Sequence, residues 1–265
     1  MKRAYITKSF RPRRAKIVKY VDGLLDEYAA LGLRVTLRQI YYRLVAANII
    51  SNTAREYYNL SDTLSDARLA GLLDWDQIVD LTRVPEMPSE FANLAELVDA
   101  ALVSYRLPRW ADQPFYCEVW SEKAAIVAML SPLGRKHHVV VAVNRGYKST
   151  TTMYEDAVRL RGALDNGRRC RLFYLGDHDP SGVNMAQDIA NRLAVFGAMG
   201  DPAVEIVRLG LTRDQVDEYN LPPQPVKETD SRTAKYVVAH GNGCWEVDAL
   251  RPEVLTQLVD SAIRT

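Results

Sequence analysis

The chain has 265 residues, 48% of them hydrophobic and 25% charged, with a formal net charge of +1. That is ordinary for a soluble globular protein long enough for two modest domains, and no apolar run approaches the roughly 18 residues needed to span a bilayer. The three isolated cysteines, Cys117, Cys170 and Cys244, fit neither a disulfide framework nor a CxxC metal site.

The opening stretch "MKRAYITKSF" lacks the apolar core of a secretory signal, so the expected compartment is the cytoplasm. Lys2, Arg3, Lys8, Arg11, Arg13, Arg14, Lys16 and Lys19 all precede the first acidic residue, Asp22. Such a block reads either as a solvated arm or as a phosphate-seeking one, and residues 1–13 are assigned to it. Over 14–31, Ile17, Val18, Val21, Leu24, Leu25 and Tyr28 have helical spacing, and Gly32 stops the run. Thr36 opens "TLRQ", a capping-box pattern with Gln39 three residues on. A third helix fills 53–70, and "LLDWDQIVDLTR" reads as short strands around a turn. Three helices and a small hairpin over 14–85 make a winged-helix arrangement, a common DNA-binding shape.

"PEMPSEF" marks a break, and 86–113 reads as a linker with a helix over about 90–106. From 114 to 265 the rhythm becomes strand, helix, strand, helix: "FYCEVW", "KAAIVAML", "HVVVAV", a helix over 149–165, "CRLFYL", a helix over 181–196, "VEIVRL". Apolar strands alternating with helices predict an α/β domain with a mostly parallel sheet covered on both faces. The Pro-rich segment 219–233 reads as an exposed loop.

In open α/β sheets, sites gather at the carboxyl ends of the strands. The first strand ends in "EVWSEK", which places Glu122 at the turn into the helix, and the third ends in "RLFYLGDHDPSG", which places Asp177 and Asp179 just past Leu175. Residues i and i+2 of an extended segment point the same way, so the two aspartates are predicted to converge on one cation. Oxygen donors without a Cys or His cluster suit Mg²⁺ or Mn²⁺. Asp, Pro, Ser and Gly after a buried strand are also ordinary turn residues; it is the second acidic strand end that favours metal. Glu118 is a rival for Glu122, but mid-strand it would need a partner. His178 reads as a turn residue whose side chain points away from the aspartates.

On a helix over 37–44, Leu37, Ile40, Tyr41 and Leu44 fall on one core stripe. Tyr42 lies about 100° further round, next to Arg38 four residues earlier. One tyrosine is therefore expected to pack and the other to be presented beside a guanidinium. An adjacent Arg favours the phenolate and holds a phosphate oxygen, the arrangement needed for attack on a phosphodiester.

Taken in order, "TLRQIYYRL", "WSEKAAI", "NRGYKSTT", "GDHDPSG", "LGLTRDQVDEYNLP" and "WEVDALRPEVL" resemble the A subunit of topoisomerase VI and its relative, the meiotic double-strand-break transesterase. The compact length is similar to minimal, A-only homologues of phages and mobile elements. The resemblance implies a winged-helix domain followed by a TOPRIM domain, with Tyr42 attacking DNA to form a 5′-phosphotyrosyl link and Arg38 assisting. It implies Mg²⁺ (or Mn²⁺) held by Glu122, Asp177 and Asp179, double-stranded DNA as substrate, and a homodimer whose active sites are shared between subunits. Arg11, Arg13, Arg14, Lys123 and Lys148 are the candidate DNA contacts, and "GRKHH" (134–138) extends their track. Topoisomerase VI works with a separate ATPase B subunit, and no segment here resembles a nucleotide-hydrolysing module. The expected place of action is the nucleoid of a bacterial or phage-infected cell. The alternative keeps the metal and drops the tyrosine: a TOPRIM nuclease cutting DNA by hydrolysis. A DNA-binding protein with a degenerate site is a third reading.

Overall fold

The computed structural model describes residues 1–79, 90–105, 109–144, 150–198, 204–226 and 232–265. Helix α1 (Pro12–Ala30) starts with Pro12, whose fixed φ suits a first helical turn, two residues earlier than the spacing predicted. It buries Ile17, Val18, Val21, Leu24, Leu25 and Tyr28, the six residues of its predicted apolar face. Gly32 follows with φ +68°, a left-handed position that suits glycine, and closes the helix through its N–H to the Ala29 carbonyl. Helix α2 (Leu37–Ala46) carries the expected capping box: Gln39 N–H donates to Thr36 Oγ1, and Thr36 N–H to Gln39 Oε1. Helix α3 (Ala54–Leu69) is capped by Thr53. The three helices share one core with Val35, Leu73 and Ile78.

The segment before α1 is docked on this helical unit. Ala4 pairs with Ala70, the Tyr5 ring meets Trp75 edge-on at 5.6 Å, and the Met1 amine contacts Asp74 and Asp76. Lys2 pairs with Asp22, and Lys8 with Asp66 at 2.9 Å. Residues 1–9 are exposed, as a solvated arm would be, while carboxylates of the same unit pair with Lys2, Lys8 and the Met1 amine. Of the expected hairpin over 72–83, Ile78 pairs with Val35 in a parallel bridge; residues 80–83 lie outside the described residues.

Helix α4 (Leu94–Ser104) occupies the expected linker and leaves Leu94, Leu97, Val98 and Leu102 exposed. Beyond it, β1 (Phe115–Ser121), β2 (Val140–Val143), β3 (Arg169–Leu175) and β4 (Val204–Gly210) form one parallel sheet in the order β2-β1-β3-β4. The chain is thus mixed α/β, with ten α-helices and a four-stranded parallel sheet among the described residues. Helix α5 (Ala124–His137) covers one face together with α10 (Pro252–Arg264). The other face is covered by α6 (Thr150–Asp165) and α7 (Gly182–Val195). Strand residues alternate between the two: Cys117 and Val119 belong to the first core, Trp120, Leu172 and Tyr174 to the second.

The segment between β4 and α10 is more structured than its composition suggests. Helix α8 (Arg213–Glu218) has a capping box of its own, from Thr212 and Gln215. Strand β5 (Gln224–Pro225) pairs antiparallel with β6 (Gly243–Cys244), and α9 (Thr233–His240) lies between them in sequence. The expected exposed loop over 219–233 is corrected to this extent, because Leu221 is buried and Gln224 faces the helical unit; 227–231 lie outside the described residues.

Glu118 has the partner its position demands. Arg159 from α6 grips it with two bonds (2.6 and 2.8 Å), while Tyr116 Oη and Trp120 Nε1 donate to it at 2.8 Å each. Its carboxylate is fully buried, so it belongs to the scaffold. Removing one side of a buried pair strands the other charge. Arg159→Ala is expected to cost about 3 kcal/mol, seen as a lower urea midpoint with an unchanged m-value.

Candidate active site

The sheet order places a crevice at the carboxyl ends of β1 and β3, where the connections leave in opposite directions. Because Ser121 is paired with Leu175, Glu122 and Asp177 emerge side by side. Asp177 is buried; its Oδ1 accepts the Val247 N–H at 2.9 Å, and its Oδ2 lies 2.7 Å from Lys123 Nζ. The same ammonium is 3.4 Å from Glu122 Oε1 and 3.6 Å from Glu246 Oε2. Lys123 was expected to face DNA phosphates; instead its charge is surrounded by carboxylates.

Asp179 lies within electrostatic reach of Glu122, as Asp177 does. Its Oδ1 accepts the Gly182 N–H at 2.6 Å, at the start of α7. Gly182 fits there because a Cβ would run into the Asp177 carbonyl. Arg208, in the middle of β4, fixes this loop by donating to the carbonyls of Gly182 (2.7 Å), Asp177 (2.6 Å), Gly176 (3.3 Å) and Leu211 (3.0 Å). His178 points away from the aspartates as expected. Its backbone bonds Trp245 in both directions and its Nδ1 meets Tyr236 Oη at 2.8 Å. Burial, with His240 and Arg208 nearby, pushes its imidazole down to about 4.

That backbone bridge brings in two acids that sequence reasoning quoted without assigning a role. Glu246 contacts the Arg38 guanidinium as well as Lys123, and Asp248 Oδ2 lies 3.5 Å from Arg38 Nε. The signal was present: Glu246 and Asp248 repeat the i, i+2 acid spacing of Asp177 and Asp179.

Arg38 belongs to α2, so it joins the acids to the tyrosine helix. Tyr41 packs as predicted: it is buried, its Oη donates to Asn52 Oδ1 at 2.9 Å, and its ring meets Tyr57 edge-on. Tyr42 does sit beside Arg38, with the guanidinium carbon 5.9 Å from the ring centroid. It is not presented to solvent, however. Its ring is buried and its hydroxyl is bonded by Gln224 of β5, while Asn52 Nδ2 holds the Pro223 carbonyl at 3.0 Å. The expected pull of Arg38 toward the phenolate is present but outweighed. Burial pushes the phenol well above its ordinary value and Glu246 adds to this; Arg38 opposes, but it also faces Glu246 and Asp248. The resemblance implies a site shared between subunits; here Tyr42 and the acids of one chain already meet through Arg38.

The remaining predicted contacts lie elsewhere. Arg11, Arg13 and Arg14 line a cavity of about 240 Å³ beside α3, where Arg13 pairs with Glu56 at 2.9 Å and Arg14 with Asp66 at 3.6 Å. Residues 134–138 form the last turn and cap of α5, at the opposite sheet edge from the acids, and His137 bonds Asp260 at 2.7 Å. Lys148 lies outside the described residues.

Among the described residues, no three carboxylate, imidazole or thiol groups stand ready to ligate one ion. The donor chemistry nonetheless suits a hard cation. Glu122, Asp177, Glu246 and Asp248 offer carboxylate oxygens, and Asp248 Oδ1, fully buried, has no hydrogen-bond partner among the described residues. Glu122 holds a proton: burial, a hydrogen bond shared with Asp177 and the charges of Asp177 and Asp179 push its carboxyl up to about 8 against the pull of Lys123. For Asp177, burial pushes up but is outweighed by the Glu122 hydrogen bond, Lys123 and the Val247 N–H, so it stays ionised. No protein-family model matches the chain, and no curated protein matches it. No helix among the described residues is long and apolar enough to cross a membrane.

Glu122 makes stability depend on pH. Its folded value of about 8 lies above its ordinary 4.5, so between them the folded chain holds a proton that the unfolded chain has lost. That contribution is fully present below about 4.5 and is lost as pH rises through 8. In chelator-treated protein, urea unfolding is expected to show the wild type losing stability relative to Glu122→Gln across this window, and equal pH slopes would count against a protonated Glu122.

Proposed function

We propose that this chain is a divalent-cation-dependent DNA transesterase of the topoisomerase VI A type, with a winged-helix unit carrying Tyr42 and a TOPRIM unit carrying the acids. The observation that supports it most is Arg38. It touches the Tyr42 ring on one side and Glu246 and Asp248 on the other, next to Asp177. A nucleophile, a phosphate-binding guanidinium and an acid crevice are the parts a phosphodiester exchange needs.

In this reading the Tyr42 oxygen forms a bond to phosphorus and the bond from phosphorus to the 3′ oxygen breaks. The phenol proton passes to that leaving oxygen, so the 5′ end stays on the protein and a 3′ hydroxyl is freed. One phosphodiester replaces another, and the reverse step reseals the strand without an external energy source. Arg38 holds a non-bridging phosphate oxygen. Gln224 has to release the phenol before attack. Glu122, Asp177 and Asp179 would hold Mg²⁺ or Mn²⁺, which supplies charge stabilisation to the reacting phosphate. Two copies would supply one break per strand, and an ATPase subunit enters the proposal only for strand passage.

A specific observation favours a second reading. The Tyr42 hydroxyl is covered and held in its protonated form, whereas the acid crevice is complete without it. A TOPRIM nuclease that activates water would use the crevice alone.

Supercoiled plasmid incubated with the protein and Mg²⁺ or Mn²⁺, then quenched with detergent, separates the two. Linear DNA with protein on its 5′ ends is expected from the wild type and from Tyr41→Phe, and none from Tyr42→Phe. Protein-free cuts that persist in Tyr42→Phe would establish hydrolysis instead.

A further inference from the structure

We propose that Asp248 is a fourth carboxylate of the cation-holding set, beside Glu122 and Asp177, and that it takes a hard divalent cation of the Mg²⁺ or Mn²⁺ class. The inference rests on the acid crevice being a cation site. It does not depend on whether tyrosine or water attacks the DNA.

Asp248 is 3% exposed and Oδ1 has no hydrogen-bond partner among the described residues. An ionised carboxylate in that position is costly unless a charge meets it. Its visible partner does not suffice: Arg38 Nε is 3.5 Å from Oδ2, and the same guanidinium is engaged by Glu246. Lys123 is the other cation nearby, and its ammonium is closest to Asp177. With Glu122 protonated, the cations that the described residues bring into contact with the group, Arg38 and Lys123, meet three further carboxylates, Asp177, Glu246 and Asp248.

The backbone fixes Asp248 in this place. The Val247 N–H donates to Asp177 Oδ1, so the next residue along the 3-10 turn Val247–Ala249 is tied to the same loop that carries Asp177. A divalent cation is the partner that would meet the uncovered Oδ1 and the neighbouring carboxylates at once.

The test uses the full chain without DNA and follows Mn²⁺ binding by the loss of the free-ion electron paramagnetic resonance signal, with thermal unfolding in parallel. Asp248→Asn is expected to weaken Mn²⁺ binding by about tenfold or more. The same variant is expected to be at least as stable as the wild type in chelator, because an unmet buried charge is gone. Asp248→Glu, which keeps the carboxylate, should retain most of the affinity. Wild-type Mn²⁺ affinity in Asp248→Asn, together with a loss of stability in chelator, would overturn the proposal and leave Asp248 as an anchor for Arg38. Absence of Mn²⁺ binding by the wild type would overturn the cation reading as a whole. Mn²⁺ binding by wild type without protein-linked DNA would overturn the transesterase reading alone.

Discussion

Strands β1 and β3 lie side by side along their whole length, from Phe115 opposite Arg169 to Ser121 opposite Leu175. Parallel neighbours run about 4.8 Å apart, so the residues that follow them leave the sheet as close neighbours. In this chain both exits are acidic. Two carboxylates emerging into one crevice cannot both ionise without compensation, and most of what surrounds them answers that demand. Glu122 keeps a proton, Lys123 turns its ammonium inward, and the Val247 N–H is aimed at Asp177. Arg208 acts on the loop itself, holding four carbonyls so that the acids cannot separate by moving the backbone.

The same electrostatic demand joins the two units. Glu246 and Asp248 bring further negative charge to the crevice, and Arg38 from α2 meets it. Arg38 is therefore shared between two tasks, a neighbour to the Tyr42 ring and a counter-charge to the acids. Around that contact the interface is built from modest polar bonds, Gln224 to Tyr42 and Asn52 to the Pro223 carbonyl, with Gln39 reaching Met129 Sδ at 3.4 Å. Ala249 adds an apolar contact, packing against the cores of both units.

Much of this was readable from local pattern. The buried face of α1, the Thr36–Gln39 box and the four strands of the sheet follow from periodicity and capping chemistry, which depend on near neighbours in sequence. The positions of Glu122 and Asp177 follow as well, because strand ends are local features. What escaped depends on distant partners. Arg208 looks like a stray charge in an apolar strand until its carbonyls are in view. Glu246 and Asp248 acquire meaning only when Trp245 pairs with His178, 67 residues away by number. The orientation of Tyr42 was legible from helical geometry, but the partner of its hydroxyl was not, since Gln224 lies 182 residues away.

The hydrogen bond from Gln224 to the Tyr42 hydroxyl has a kinetic meaning. A side chain that occupies the phenol oxygen competes for the place where a phosphorus atom would have to approach. Under the transesterase proposal, reactivity would be held back by access before it is limited by bond making. Opening requires the short β5–β6 ribbon to withdraw from α2, a movement of a two-residue strand rather than of the packed sheet. Small, weakly held elements of this kind sit at the low end of local stability and open often while the core stays closed. In that proposal the tyrosine waits on a two-residue strand, while the acids stay where the parallel sheet holds them.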